Sequence, residues 1–185
     1  MSRLAITLVL LLAPAAAQAV PTGPTLLGGA VITLQRDQGD VHFGTFLGPT
    51  ARVAWEVGDF WTSEFSVQAT RASGQATAGS THVDTTLTSI AGGYQLTLDI
   101  LKKASFLSPY AGAGFLVGDM YMDVNAQSLG SSQVARGNAF YLELHALAGL
   151  RMNFPFGLGV RAECAFSTYG GFFAFQPSLG AAYSF

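Results

Sequence analysis

The sequence predicts an all-β fold, an antiparallel up-and-down barrel of eight transmembrane strands preceded by a cleavable signal peptide. Three observations predict it. Segments beyond residue 20 alternate between apolar and polar residues, the period-two mark of strands. The apolar faces carry Phe, Trp, Tyr, Leu and Val, while the opposite faces are mostly Gly, Ser, Thr, Gln and Ala. Charged residues total only 11%, against about 25% in typical soluble domains. A soluble sandwich would crowd charges onto its wetted face and protect its open edges with Lys. A closed barrel with greasy exterior and small-residue lumen needs neither.

The elements follow in order. Residues 1–19 combine a basic start (Arg3), an apolar run from Leu4 to Ala13 and the A-x-A site Ala17-Gln18-Ala19. That pattern predicts a signal peptide cleaved before Val20. Its apolar run is too short for the ~20 residues of a spanning helix. The barrel domain then occupies residues 20–185, with strands expected at 27–36, 47–57, 61–71, 83–98, 109–122, 139–152, 157–168 and 174–185. In the second, Val53, Trp55 and Val57 oppose Arg52, Ala54 and Glu56. In the third, Trp61, Phe65 and Val67 oppose Thr62, Glu64 and Gln68. The fourth and fifth alternate more weakly. Asp119 falls on the fifth strand's apolar face, so the chain there is either bulged or beyond the membrane. The sixth sets Phe140, Leu142 and Leu144 against Tyr141, Glu143 and His145; the seventh sets Leu158, Cys164 and Phe166 against Arg161 and Glu163. The eighth runs Phe175, Leu179, Tyr183, Phe185 along one face.

Short turns are expected at Gly58-Asp59-Phe60 and Asn153–Phe156, with a longer link, 99–108, that contains Lys102 and Lys103. Asp37–Phe46, Ala72–His82 and Asp123–Asn138 read as long polar loops without regular structure, all at the opposite end.

Composition excludes several functions. Lys+Arg number 9 against 11 Asp+Glu, and no basic cluster appears, so a nucleic-acid partner is not expected. One cysteine excludes a disulfide framework and a Cys-rich zinc site. No cofactor or metal is expected: the three His are isolated, and Asp37 with Asp40 is too small a set for a calcium cage. Gly28-Gly29 and Gly112-x-Gly114 are strand glycines, because no helix follows to cradle a phosphate.

The signal peptide, the segment Ser108-Pro109-Tyr110-Ala111-Gly112-Ala113-Gly114-Phe115 and the ending Gly180-Ala181-Ala182-Tyr183-Ser184-Phe185 together resemble small outer-membrane β-barrel proteins of the OmpA/OmpX type. The resemblance implies residence in a Gram-negative-type cell outer membrane. It also implies that barrel-assembly machinery reads the C-terminal aromatics, here Tyr183 and Phe185.

Seven charges fall on small-residue faces: Arg52, Glu56, Glu64, Glu143, Arg151, Arg161 and Glu163. Ions in a narrow lumen must be paired or hydrated. Eight strands leave an interior that side chains fill, so these residues read as an ion-pair network plugging the barrel; a charged pore constriction is the alternative. His145 near Glu143 is a candidate general base, and His42 and His82 with Ser80 or Ser89 would be the residues of a lipid-modifying enzyme at the outer rim, but none lies in a recognisable motif. Cys164 reads as a lipid-facing small hydrophobe. Trp55, Trp61, Tyr110, Tyr121, Tyr169, Phe172 and Phe173 read as an interfacial aromatic belt.

The expected function is non-enzymatic: a barrel anchored in outer-membrane lipid displays loops to an extracellular partner whose identity the residues do not name. A small passive channel is the runner-up and a lipid-modifying enzyme the third reading.

Overall fold

A computed structural model of the chain describes residues 23–35, 45–78, 81–101, 106–128, 131–169 and 172–185. The expected signal peptide, His42, Ser80, Lys102 and Lys103 lie outside the described residues. Eight strands follow one another: β1 (Thr25–Gln35), β2 (Phe46–Glu56), β3 (Trp61–Ala78), β4 (Thr81–Asp99), β5 (Leu107–Ser128), β6 (Ser131–Asn153), β7 (Leu158–Tyr169) and β8 (Phe172–Ser184). Each pairs antiparallel with the next, and β8 returns to β1 to close the barrel.

The register sets the shape. From Thr25 the ladder passes through Ala54, Glu64, Gln95, Gly114, His145, Ser167 and Ala174, and re-enters β1 at Gln35. The circuit therefore climbs ten residues along β1. Ten residues at ~3.3 Å, spread over eight strands ~4.8 Å apart, tilt the strands by about 40°. At that tilt the apolar outer face of β6, from Phe140 to Met152, spans about 30 Å, enough for the hydrocarbon core.

Alternation puts the large apolar side chains outside. Phe65 is 56% and Leu144 58% exposed, as a lipid-facing surface requires. Trp55, Phe65, Tyr94 and Phe115 form an aromatic row over β2 to β5, with neighbouring ring centroids 5.3–6.4 Å apart. Exposed aromatics flank the band, with Phe140, Phe173 and Tyr121 at one end and Trp61, Phe156 and Tyr183 at the other. Cys164 is a free thiol on the outward face, between the exposed Ala162 and Phe166.

At the end that carries both described termini, β6 turns into β7 through a single 3-10 turn, Pro155–Gly157. Phe156 there is left-handed (φ 66°) and 88% exposed. A bulky residue in that region costs about 1–3 kcal/mol.

The structure corrects the expected loops at the other end. β3 runs on to Ala78 and β4 begins at Thr81, while β5 and β6 reach Ser128 and Ser131. Ala72–His82 and Asp123–Asn138 are therefore largely strand. Alternation alone does not reveal these strands because polarity inverts there. In the barrel wall the outward face is apolar. Beyond it the outward residues are mostly polar (Ser73, Gln75, His82, Asp84, Asp123, Asn125 and Arg136, with Tyr121 and Val134 as exceptions), and the inward ones include Ala72, Val83, Met122, Val124 and Ala135. The rule that greasy residues face out loses phase at this boundary. Asp119 marks it: the β4–β5 and β5–β6 ladders run through Ile90, Asp119 and Phe140 without a bulge, so the outer face simply turns polar.

Candidate functional site

Among the described residues the lumen holds one buried ionic cluster, in the half nearer the termini. Glu64, wholly buried at 0% exposure, is its centre. Arg161 Nη2 donates to Glu64 Oε1 at 2.6 Å and Gln95 Nε2 to Oε2 at 2.7 Å, while Arg52 and Arg151 lie 3.7 and 3.9 Å away. Arg52 forks onto Glu163, with Nη2 2.8 Å from Oε1 and Nη1 3.0 Å from Oε2. Such two-pronged bonds are the strong form of the pair. Arg151 Nη1 lies 3.3 Å from Asp99, which also accepts from Ser108 Oγ at 3.2 Å.

Tyr110 ties the cluster together. Its hydroxyl accepts from Arg161 Nε and donates to Glu163 Oε2 at 3.0 Å. Its ring lies under both Arg161 (4.4 Å) and Arg151 (5.2 Å). Three guanidinium groups thus meet three carboxylates from β2, β3, β4, β6 and β7. Removing ions from water costs several kcal/mol each, and only mutual pairing with full hydrogen bonding offsets that.

Of the seven expected lumen charges, Arg52, Glu64, Arg151, Arg161 and Glu163 come together here. Two do not. Glu56 is exposed at the mouth, where it lines a cavity of about 40 Å³ with Thr62, Arg151 and Arg161, because β2 ends there. Glu143 is buried higher in the lumen and accepts from Gln176 Nε2 at 3.0 Å. Asp99 and Tyr110 are lumen residues that the alternation pattern does not mark. Tyr110 belongs to the interior and not to the aromatic belt, since it is 1% exposed. Each lies near a strand end, where alternation alone does not separate lumen from interface. The side chains of Tyr169 and Phe172 lie outside the described residues.

Among the described residues, His82, His145 and Ser89 do not come together as a catalytic set. Ser89 points inward and bonds the Tyr141 hydroxyl, whereas His82 stands on the outer face of the same strand, 3.3 Å from Asp84. His145 is buried in the lumen, and its Nδ1 has no partner.

Above the cluster the lumen becomes apolar: Phe46, Ala72, Leu87 and Met120 pack together, and Ala91, Leu116 and Tyr141 pack beside them. The cavities between these layers measure only about 20 and 30 Å³.

The second feature is a sheet that projects past this apolar layer. β3 to β6 stay paired up to Ala78↔Thr81, His82↔Gln127 and Ser128↔Ser131. β2 leaves β3 at Leu47↔Arg71, and β7 leaves β6 at Glu143↔Tyr169. Beyond those points the outer edges of β3 and β6 have no strand partner among the described residues. In β6 every residue from Ser131 to Phe140 is exposed, whichever face it occupies. That edge carries one charged residue, Arg136, and neither Lys nor Pro. Edge strands are ordinarily blunted by such residues.

At the closing seam Thr25 Oγ1 and Ser184 Oγ hydrogen bond at 2.7 Å. Tyr183 and Phe185 stand outward with their rings edge-to-face, 4.9 Å apart.

A family model described as outer membrane protein beta-barrel domain matches residues 4–185. No curated protein matches the sequence. Among solved structures, the chain is similar to Ail, the attachment invasion locus protein of Yersinia pestis, at 19% identity and a TM-score of 0.55, covering 88% of this chain and 99% of that one. The same protein in complex with the heparin analogue sucrose octasulfate matches at 18% identity and a TM-score of 0.57, with the same coverage. Neisserial surface protein A matches at 17% identity and a TM-score of 0.56, covering 90% of this chain and all (100%) of that one. At such identities the likeness is one of fold.

Proposed function

The chain belongs to the outer membrane protein β-barrel domain family, and from that premise we propose that it is a non-enzymatic surface-interaction protein. The barrel anchors in outer-membrane lipid, and the projecting β3–β6 sheet meets an extracellular partner. Such barrels extend further beyond the membrane on the extracellular side than on the periplasmic side, so the projecting β3–β4 and β5–β6 hairpins are read as lying outside the cell. One observation carries the reading: the β6 edge from Ser131 to Phe140 is long, exposed and unblunted. Unpaired N–H and C=O groups along such an edge can take up an extended segment of another protein as an added strand. The outer face sets Asp84, Asp119 and Asp123 against Arg71 and Arg136, a balance that favours a protein over a sulfated polyanion. The filled lumen weighs against the channel reading. At the other end, Tyr183 and Phe185 on the last strand suit capture by barrel-assembly machinery before closure.

The test is binding of cells that express the protein to immobilised serum and matrix proteins. Deleting residues 125–136 should abolish binding while the barrel still resists protease and shifts on unboiled gels. Val134→Pro, which blocks the edge, should weaken it strongly. Undiminished binding by the deletion variant would refute the reading. Planar-bilayer conductance above background would favour the channel instead.

A further inference from the structure

The lumen charges do not sum to zero. Asp99, Glu64 and Glu163 each have at least one arginine within 4 Å, and Arg52, Arg151 and Arg161 supply three positive charges for those three carboxylates. Glu143 is a fourth buried carboxylate, 6% exposed, with no cationic side chain among its contacts in the described residues. Its hydrogen-bond donors are neutral, the Gln176 amide and the Ser167 hydroxyl. His145, the next inward residue on β6, forms no ion pair with it, and its own Nδ1 is unpartnered. An ionised carboxylate held this way is unfavourable by several kcal/mol unless its charge is neutralised.

A cavity of about 30 Å³ adjoins Glu143 and is lined by Thr33, Gln68, Thr70, Ser89 and Gln176 as well as by Phe46 and Met120. The polar residues come from β1, β3, β4 and β8, so oxygen-bearing side chains surround the space from several sides. Gln176 uses its amide nitrogen on Glu143 and on Ser167 Oγ, which leaves its carbonyl oxygen for a ligand. One water needs about 10–15 Å³, so the cavity admits a small ion with at most a water beside it.

We propose that this cavity binds one monovalent inorganic cation, Na⁺ or K⁺, with Glu143 as the charged ligand and neutral oxygens completing its shell. The charge count selects the valence. A single positive charge cancels the surplus, whereas a divalent ion would leave one positive charge buried. Divalent ions also take several carboxylates where the cage is all protein. Bound there, the cation joins β6 to the opposite wall above the arginine cluster and stabilises the closed barrel.

The experiment is thermal unfolding of the purified barrel in neutral detergent at pH 8, in NaCl, KCl or N-methyl-D-glucamine chloride at equal ionic strength. Because the ion binds the folded state alone, Tm should rise by a few degrees with Na⁺ or K⁺ and keep rising with concentration. Glu143→Gln, which keeps the shape and removes the charge, should unfold at the same temperature in all three salts. If that variant fails to fold, Thr70→Val should reduce the salt-specific shift. Identical wild-type Tm in the three salts, or a cation dependence that survives Glu143→Gln, overturns the proposal. So does an infrared carboxylic-acid band in the wild type in NaCl that Glu143→Gln removes, because a proton would then neutralise the group.

Discussion

The ring of Tyr110 occupies the place where Gly149 lacks a side chain. The two are register partners on β5 and β6, and a Cβ on Gly149 would overlap the Tyr110 Cζ and hydroxyl oxygen. The glycine is therefore what lets the tyrosine lie flat across the lumen wall and hold Arg161 and Glu163 together.

Gly149→Ala should push the ring away and break both hydroxyl bonds. Overpacking of this kind costs about 1–3 kcal/mol. Urea unfolding in detergent should report it, and the added cost should shrink in a Tyr110→Leu background, where the ring is gone. An equal cost in both backgrounds would show that the clash lies elsewhere.

Glu64 should be the most sensitive carboxylate of the lumen. Glu64→Gln leaves Arg161 buried without the carboxylate charge 2.6 Å away, and breaking a buried ion pair on one side typically costs about 3–5 kcal/mol. The double variant Glu64→Gln with Arg161→Met should be more stable than Glu64→Gln alone. Unfolding curves of the two check this, and the reverse order would mean that the pair is not the dominant contact.

The outward pair Asp123–Arg136 is a contrast, 3.1 Å apart but with side chains 61% and 81% exposed. Exposed pairs contribute about 0–1 kcal/mol. Arg136→Ala should leave barrel unfolding unchanged and affect only what the projecting sheet binds. A clear loss of barrel stability would place this residue in the folding core.

Cys164 faces lipid between Ala148 and Pro177 in the ladders. A charged maleimide should fail to label it in bilayers and should label it fully once the protein is unfolded in urea, as mass spectrometry can count. Rapid labelling in vesicles would put this face in water.

Strand number, strand phase and the inward position of Arg52, Glu64, Arg151, Arg161 and Glu163 were all legible along the chain, because alternation is local. Each residue's face depends only on its immediate neighbours and on which face is greasy. The same rule failed beyond Arg71 and Asp119, where the medium outside changes from lipid to water and the inside-outside polarity reverses. Only the closed barrel decided which inward groups meet. Glu64 and Arg161 are 97 residues apart and on strands that do not pair. Their contact depends on the ten-residue stagger that brings β8 back to β1. That stagger is a property of the whole ring, summed over every ladder, and no single segment contains it.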